Sequence, residues 1–490
     1  MTAGLQYPFD LGSLPDAVIG GIGHAGGGLS RQLVDPAARI SFAEVRDASL
    51  AQVDHSAFAA QTALRLWADT PPARRAQVLM ALADLIASQA DELTAVECVN
   101  VGKPLSQARR DVLRAAEYFR FYAGACDKLN GDTIPLGPDQ TAMTLLQPVG
   151  VTAHILPWNY PISTLARGVA PALAAGATVV AKPSELTPLS TLMVAKLALE
   201  AGVPDGAFNA ICGAGEVGEA LAAHPNVAHV TFTGSTETGR RVMQAASGPV
   251  AGVTLELGGK SPVMVWPDAD LDAAAEGVAR GIFFNAGQVC AAGSRLLCHA
   301  DIHDALVDRV VQRARAMTMG HGLTDPDLGP LISEAQFARV EGFVSRAMAD
   351  GLTCATGGQR AHVPDCPQGL FYEPTVFTRV PETCDIAQVE VFGPVLITQT
   401  FETEEDALRL ANGTPFGLVA GIYTADAGHA MRFARRVEAG QVFVNGFLQG
   451  GDTVPFGGVK HSGIGREKGV SGLRAYLAEK SIVLSHGELS

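Results

Sequence analysis

Hydrophobic and polar positions follow two different patterns, which change at about residue 149. Between residues 43 and 125, apolar residues recur three and four positions apart, as in ARRAQVLMALADLIASQADELTAVE, and this spacing predicts amphipathic helices. The run Thr70-Pro71-Pro72 is typical of a helix start, because proline is tolerated in the first turn. We therefore expect residues 43–125 to be helical.

From Val149 onward, short β-rich runs alternate with alanine-rich helical runs. VGVTAHILP, FNAIC and VAHVTFTGS are typical of buried strands, and PALAAGATVVAKPSE passes from a helix into a strand. Strands that alternate with helices predict a parallel sheet with right-handed crossovers. A second alternation, from about Pro262 to Phe443, predicts a second α/β domain.

Residues 130–148 interrupt this progression with what the pattern predicts to be two strands joined by a turn. The C-terminal run AYLAEKSIVLSH could provide a partner strand for them. An exposed strand edge has to be covered. We therefore expect a small β arm whose edges are covered in a homodimer or a homotetramer.

Composition narrows the classes of function. A chain of 490 residues exceeds the ~250–300 residues that one core supports. The net charge of −14, with no basic cluster longer than two residues, disfavours nucleic-acid binding. No apolar run of ~18 residues predicts a membrane span, and no secretory signal is recognised. Eight cysteines without CxxC spacing predict a reducing, cytoplasmic setting and no structural metal.

One glycine-rich motif resembles a dinucleotide-binding fingerprint. Residues 21–26, GIGHAG, fit GxGxxG, but no helical pattern follows closely, and position 46 is arginine where an acidic residue is required. We interpret this stretch as a surface loop.

The stretch NAGQVCAAGSR places Cys290 among small residues, which leave a sulfur atom accessible. A thiolate nucleophile also needs a base and donors for the oxyanion that it creates. Asn159 follows a predicted strand and could donate from its amide. Glu256, at the end of another strand, suits a general base if it is desolvated, although it could instead pair with Lys260.

Seven motifs then occur in a fixed order across some 310 residues: PWNYP, KPSE, FTGSTETG, LELGGK, GQVCAAGSR, EVFGPV and PFGGVKHSGIGRE. In this set, and in most of the chain from about residue 30, the sequence resembles the aldehyde dehydrogenase superfamily. The resemblance implies that Cys290 attacks an aldehyde to form a thiohemiacetal. Asn159 and the Cys290 N–H would hold the oxyanion, and Glu256 would activate the water that hydrolyses the thioester.

The resemblance also implies a cofactor site in a Rossmann-like domain that lacks the glycine fingerprint. Lys182 and Glu185 would reach the adenosine ribose, and Glu185 favours NAD over NADP because a carboxylate repels a 2′-phosphate. The pyrophosphate would lie at the helix start marked by Gly234 and Ser235. The remaining contacts implied are Trp158 near the pyrophosphate, Glu390 at the nicotinamide ribose and Phe392 beside the nicotinamide.

Two features depart from the family pattern. Many relatives carry a tryptophan-lysine pair where this chain has Arg167 and Gly168, and glycine cannot relay a proton. Arg167 could meet an anionic substrate or, the reading we favour, pair with a surface carboxylate. Glycines at 446, 450 and 451 predict a roomy apolar tunnel for a bulky or aromatic aldehyde, lined by Tyr160, Val289, Phe447 and Phe456.

The expected fold is α/β, with a Rossmann-like cofactor domain, a second α/β catalytic domain and a small β oligomerisation arm. The expected ranges are 1–127 and 147–256 for cofactor binding, with 448–470 returning to it, 257–447 for catalysis, and 128–146 and 471–490 for the arm. The expected activity is hydrolytic, NAD-dependent oxidation of a small-molecule aldehyde. Two alternatives are transfer of the thioester to coenzyme A and a catalytically silent family member.

Overall fold

The structure is a computed structural model that describes residues 7–12 and 14–486. The parts of the predicted ranges 1–127 and 471–490 that fall on residues 1–6, 13 and 487–490 lie outside the described residues. Within the described part, no helix is long and apolar enough to cross a membrane.

The first half of the chain begins with short strands and four helices and then enters a strand–helix alternation. These elements are β1 (Ala17–Ile19), β2 (Ile22–His24), β3 (Ser30–Val34), β4 (Ser41–Arg46), α1 (Leu50–Ala68), α2 (Pro72–Ser88), α3 (Ala90–Val101), α4 (Leu105–Ala123), β5 (Thr133–Gly137), β6 (Gln140–Pro148), β7 (Val151–Ile155), α5 (Pro161–Ala175), β8 (Thr178–Lys182), α6 (Leu189–Glu200), β9 (Phe208–Ile211), α7 (Gly215–Ala222), β10 (Val227–Thr233), α8 (Thr236–Ala246) and β11 (Gly252–Glu256).

The second half repeats the alternation and ends in short elements. These are β12 (Pro262–Val265), α9 (Leu271–Phe283), β13 (Arg295–His299), α10 (His303–Ala316), α11 (Glu334–Ala349), β14 (Thr353–Thr356), β15 (Thr375–Thr378), α12 (Asp385–Gln388), β16 (Val395–Phe401), α13 (Glu404–Asn412), β17 (Phe416–Gly417), β18 (Val419–Tyr423), α14 (Ala427–Arg436), β19 (Gln441–Val444), β20 (Val459–Lys460), β21 (Gly463–Ile464), α15 (Gly469–Arg474) and β22 (Leu477–Ser485).

Two large sheets form the centres of the molecule, as the two alternations predict. The first has eight strands in the order β2-β1-β9-β8-β7-β10-β11-β21, and β7 to β11 are parallel. The second has seven strands in the order β14-β15-β16-β13-β12-β18-β19, parallel except for β14. This arrangement confirms the predicted α/β class. β21 lies antiparallel to β11, so the chain returns to the first sheet near its end.

The carboxyl ends of the parallel strands in the first sheet meet at one edge. β7, β8, β10 and β11 end directly before the motifs PWNYP, PSE, GST and LGGK. The strands β7 and β8 are buried along their whole length, which explains why they are continuous apolar runs. The carboxyl edge of an open α/β sheet is where ligands bind, so this topology gathers the motifs at one crevice.

The predicted arm is present as a three-stranded sheet in the order β22-β6-β5. β22 pairs with β6 over its full length, so the C-terminal run does supply the third strand. Several apolar side chains on this sheet are exposed, among them Val483 and Leu484.

The prediction of helix from residue 43 was wrong at its beginning. Residues 43–46 belong to β4, which pairs antiparallel with β3, and the first helix begins only at Leu50 behind a Ser49–Gln52 capping box. The glycine-rich motif at residues 21–26 begins in the turn between β1 and β2, where Gly20 and Gly21 have positive φ. No helix follows that turn until residue 50.

Candidate active site

A cleft of about 530 Å³ lies at the carboxyl edge of the first sheet. It brings together the predicted catalytic residues and the predicted cofactor residues, which are far apart in the sequence. Its lining includes Cys290, Glu256, Asn159, Lys182, Glu185, Trp158, Gly234, Ser235, Glu390, Phe392, Tyr160 and Arg167.

The loop that carries Cys290 is fixed by close backbone packing. A 3-10 turn, Phe284–Gly287, follows α9, and Gly287 has φ +72°. A Cβ atom at Gly287 would overlap the Gly393 carbonyl, so only glycine allows this loop to lie against the EVFGPV segment. The Cys290 side chain is partly exposed in the cleft. Burial of its surroundings raises the pKa of the thiol to about 11, although the Arg167 guanidinium counteracts the rise.

Asn159 connects the PWNYP segment to the nucleophile loop. Its Nδ2 donates a hydrogen bond to the Gln288 carbonyl at 2.8 Å, which leaves the second amide N–H for another acceptor. The backbone carbonyl of Asn159 accepts a hydrogen bond from the buried Lys103 ammonium at 2.8 Å, and Lys103 forms an ion pair with Asp111 at 2.6 Å. Lys103 was not predicted from the sequence, because nothing in its local pattern points to a contact 56 residues away.

Glu256 is a buried carboxyl at the end of β11. Neither side-chain oxygen has a hydrogen-bond partner among the described residues, and Glu256 forms no ion pair with Lys260 in that part of the chain. Burial and the neighbouring Glu467 carboxylate raise the pKa of Glu256 well above its ordinary value, against the opposing charge of Arg167. A carboxyl whose pKa is raised in this way suits a general base at alkaline pH.

Glu256→Gln should stabilise the fold, and increasingly so as pH rises. The folded wild type retains a proton on Glu256 that the unfolded chain releases above about pH 4.5. The wild-type free energy of unfolding therefore contains the full contribution of this proton below about pH 4.5. As pH rises from there to the raised pKa of the folded state, that contribution is lost, by up to about 1.4 kcal/mol per pH unit. Thermal unfolding from pH 5 to 9 should show a gap that widens with pH, with Glu479→Gln on exposed β22 as control. A constant gap would contradict the raised pKa.

Arg167 pairs with a carboxylate, as favoured, but the partner is the buried Glu467 rather than a surface group. The Arg167 side chain is only 12% exposed and lies beside the cleft that contains Cys290 and Glu256. Glu467 ends the quoted motif PFGGVKHSGIGRE, yet its role in the site was not predicted. The cation beside the Glu256 and Glu467 carboxyls is therefore Arg167, and not a lysine at position 168 as the family pattern implies.

The structure also explains the glycine at position 168. A Cβ atom there would lie 2.7 Å from Nδ1 of His154, a buried histidine of β7 whose Nε2 is hydrogen-bonded to Thr152 at 2.9 Å. Burial lowers the pKa of His154 to about 3, so the ring is neutral and remains in place. The space that a lysine would require is occupied by this ring.

Gly168→Ala should therefore lower the free energy of unfolding by about 1–3 kcal/mol, the usual cost of overpacking a core. His154→Ala in the same chain should recover part of that loss by making room. A double-mutant cycle in chemical denaturation measures the coupling between the two positions. Additive effects of the two substitutions would contradict the contact.

The remainder of the cleft suits a dinucleotide. Ser235 caps α8, with its Oγ accepting from Thr238 N at 3.2 Å, so free N–H groups and the helix dipole face the cleft there. Two carboxylates that could accept from ribose hydroxyls line the cleft, Glu185 and Glu390. Glu390 accepts from Gly259 N at 2.9 Å, while burial raises the pKa of Glu390 to about 7.

Aromatic packing borders the same part of the cleft. The rings of Trp158 and Phe392 meet edge to face, 5.3 Å apart. Gln336 on α11 was not predicted; its amide donates to the Phe392 carbonyl at 2.7 Å and holds the EVFGPV segment. Gln336 lies in the first turn of this helix, and its local pattern carries no signal for this contact.

Three residues predicted for the substrate tunnel lie outside the cleft lining. The Phe447 ring fills the space above three glycines: a Cβ at Gly281, Gly293 or Gly421 would come within 2.6–2.9 Å of it. Val289 faces a small space shared with Ala292 and Val395. Phe456 is buried beneath Arg167, whose guanidinium lies 5.4 Å from the ring centre.

Comparison with known proteins identifies the family of the chain. The model of the aldehyde dehydrogenase family matches residues 26–482. A betaine aldehyde dehydrogenase of Bacillus subtilis (strain 168) is 42% identical over 420 residues, which cover 85% of this chain and 86% of the relative.

Two solved structures share the fold. An NAD-dependent aldehyde dehydrogenase from Sinorhizobium meliloti has a TM-score of 0.95 at 38% identity, covering 97% of this chain and 95% of that one. A betaine aldehyde dehydrogenase from Staphylococcus aureus in complex with NAD+ has a TM-score of 0.94 at 36% identity, covering 97% and 95%. The resemblance seen in the sequence motifs is confirmed: the chain belongs to the aldehyde dehydrogenase family.

Proposed function

We propose that this chain oxidises an aldehyde to a carboxylate with NAD, through a covalent intermediate on Cys290. The observation that carries the proposal is the convergence of a partly exposed thiol, a free amide N–H and a buried carboxyl in one cleft, from Cys290, Asn159 and Glu256. These three groups match the needs of acyl chemistry: a nucleophile, an oxyanion donor and a base.

In the first step, the thiol proton of Cys290 is released to solvent and Sγ attacks the carbonyl carbon, so that Glu256 stays free to accept a proton in the hydrolysis step. The second Nδ2 N–H of Asn159 and the Cys290 backbone N–H donate to the oxyanion. After the hydride has left the former carbonyl carbon, a thioester remains on Sγ. A water molecule then attacks the thioester while Glu256 accepts its proton, and the carboxylate and free thiol are released. Overall, aldehyde, NAD+ and water give carboxylate, NADH and two protons.

NAD fits the donor set of the cleft and, when bound, supplies the hydride acceptor. Ser235 and Gly234 would hold the pyrophosphate at the start of α8, Trp158 would border it, and Glu390 would bind the nicotinamide ribose beside Phe392. Lys182, whose ammonium donates to the Gly213 carbonyl at 2.7 Å, is held at the adenosine end next to Glu185. NADP is less favoured there, because the Glu185 carboxylate repels a 2′-phosphate.

Glu185→Gln should reduce the preference for NAD over NADP. Loss of the negative charge removes the repulsion of the 2′-phosphate, so kcat/KM for NADP should rise about tenfold relative to that for NAD. The measurement is steady-state kinetics with each cofactor, and Glu216→Gln in the first turn of α7 serves as a matched control. If the ratio of kcat/KM for NADP to kcat/KM for NAD did not change, Glu185 would have no role in cofactor selection.

The two alternatives require different outcomes. Transfer of the thioester to coenzyme A is disfavoured, because Glu256, the base that we propose for water, lines the cleft. A catalytically silent member is disfavoured, because all three reactive groups are intact in one cleft.

The test is NADH formation by the purified protein across aliphatic, aromatic and charged aldehydes, with coenzyme A omitted. Turnover without coenzyme A supports the proposal. Turnover only in its presence would establish the acylating alternative, and no turnover with any aldehyde would overturn the proposed activity.

A bulky or aromatic aldehyde remains our proposal for substrate size. It now rests on Tyr160 in the cleft, since the Phe447 and Val289 side chains point elsewhere. Benzaldehyde should then exceed acetaldehyde in kcat/KM. A clear preference for acetaldehyde would overturn it.

We also propose a homodimer or homotetramer that assembles through the arm sheet, in the cytoplasm. The exposed apolar side chains on β22 and β6, among them Val483, Leu484 and Leu145, support the first statement. The eight cysteines, all free, support a reducing compartment. Light scattering that gives a monomer mass would contradict the assembly.

A further inference from the structure

A buried cluster of three ionisable side chains contacts the segment that carries Asn159. Lys103, in the loop between α3 and α4, is fully buried, and its ammonium forms an ion pair with the buried Asp111 carboxylate at 2.6 Å. Glu97 on α3 is the third member, and burial raises its pKa to about 7 against the opposing charge of Lys103. Burying ionisable groups is costly, and apolar residues in their place often stabilise a fold. Core packing alone therefore does not account for this cluster, whereas its contacts do.

Two members of the cluster bind the backbone between β7 and α5. The Lys103 ammonium donates to the Asn159 carbonyl at 2.8 Å and lies 4.4 Å from the centre of the Tyr160 ring. A carboxylate oxygen of Glu97 accepts from the Ile162 N–H at 3.1 Å. That N–H belongs to the first turn of α5, where the backbone has no partner within the helix. The backbone on both sides of Tyr160 is thereby fixed to α3 and to the loop that follows it.

The same segment is bound to the nucleophile loop through the Asn159 side chain. Its Nδ2 donates to the Gln288 carbonyl at 2.8 Å, and the Gln288 amide donates to the Pro330 carbonyl at 3.3 Å. Pro330 packs on Gly102, where a Cβ atom would lie 2.8 Å from its Cγ. Because Gly102 directly precedes Lys103, these contacts close a ring that includes the Lys103 loop, Asn159 and the nucleophile loop.

The two anchors of Asn159 have different consequences for its free side-chain N–H. The bond to Gln288 holds one hydrogen of Nδ2 and leaves the other for an oxyanion. The bond from Lys103 holds the backbone from which the side chain projects, and it is buried and charge-assisted, which makes it one of the stronger kinds of hydrogen bond. Without it, the direction of the free N–H would depend on a single contact.

We propose that Lys103 is a positioning residue for the oxyanion donor: its ammonium, held by Asp111, fixes the backbone of Asn159 so that the free side-chain N–H meets the developing oxyanion. The inference rests on the proposed function, since it deepens the role given there to Asn159. Lys103 lies outside the cleft lining and acts only through Asn159.

The first experiment removes the charge of Lys103. In Lys103→Met, kcat should fall by about 10²-fold, the cost of a misplacement of ~1 Å, while the Kd for NAD, measured by calorimetry, should stay as in the wild type. The substrate is whichever of acetaldehyde, butanal and benzaldehyde the wild type turns over fastest. Lys196→Met, at an exposed position of α6, is the matched control and should retain wild-type kcat.

A second variant separates positioning from stability. Lys103→Met leaves the Asp111 carboxylate buried without its partner and should be less stable than the wild type. The variant Lys103→Met/Asp111→Asn carries neither charge, so it should regain stability in thermal unfolding while its kcat stays as low as in Lys103→Met. Recovery of wild-type kcat together with stability would overturn the inference, because the Asn159 carbonyl would then need no donor.

A double-mutant cycle with Asn159→Ala tests whether Lys103 acts through that side chain. The Lys103→Met/Asp111→Asn change should lower kcat by about 10²-fold in the wild type but by less than about threefold in the Asn159→Ala background, since no side-chain N–H remains to be misplaced. Equal losses in both backgrounds, or no loss in either, would overturn the inference alone. Absence of Cys290-dependent turnover in the wild type with all three aldehydes would overturn the proposed function and the inference with it.

Discussion

Cys290→Ala is expected to abolish aldehyde oxidation, with a loss of about 10⁴-fold or more in kcat, because no other group can form the covalent intermediate. The structure supports this size of effect. The cleft contains one thiol within its lining, and Asn159 and Glu256 line the same cleft. The measurement is NADH formation under saturating aldehyde and NAD.

Cys354→Ala is the matched control, because Cys354 is also partly exposed but lies on β14 at the edge of the second sheet. It should retain wild-type turnover. The Cys290 variant should still bind NAD, measured by calorimetry, since the cofactor residues lie on other segments. Residual turnover within tenfold of the wild type in Cys290→Ala would show that the nucleophile lies elsewhere.

Glu256→Gln should lower kcat by about 10²–10⁴-fold, the usual contribution of a general base. The amide is nearly isosteric but cannot accept a proton, so the water that cleaves the thioester is no longer activated. Because burial and Glu467 hold the pKa of Glu256 high, wild-type kcat should rise with pH as this carboxyl ionises. That rise should be absent in the variant.

Glu467, the carboxylate next to Glu256, provides the control for the Glu256 result. Glu467→Gln removes the like charge that raises the pKa of Glu256, so the pH at which kcat rises should move downward while activity is retained in part. If neither substitution changed the pH profile of kcat from that of the wild type, Glu256 would not be the general base. Single-turnover measurements at each pH distinguish hydrolysis from product release.

Both sheets could be predicted because their central strands, among them β7, β8, β12 and β18, are buried on both faces and lie as largely apolar runs between helices. The short strands β3 and β4 could not, since their side chains are largely exposed and lack a clear alternation. The positions of Glu256 and Asn159 were predictable because their motifs lie at strand ends, which the topology gathers at one edge, whereas Cys290 lies on the loop between α9 and β13 and was found from its motif alone.

Contacts between distant segments were the part that the sequence could not predict. Nothing near Lys103 or Gln336 points to the carbonyls of Asn159 and Phe392 that they bind. The direction of Phe447 was equally hidden, because it depends on three glycines on other elements that leave room for the ring. The need for glycine at position 168 was hidden as well, because it depends on the His154 ring on the adjacent strand β7.

The central claim, a thioester on Cys290, is tested most directly by trapping that intermediate. Glu256→Gln is incubated with butanal and NAD, and its intact mass is measured, followed by peptide mapping. The account predicts a mass increase equal to the aldehyde minus two hydrogen atoms, located on Cys290 and removed by hydroxylamine. An unmodified protein after NADH has formed, or the adduct on another residue, would contradict the account.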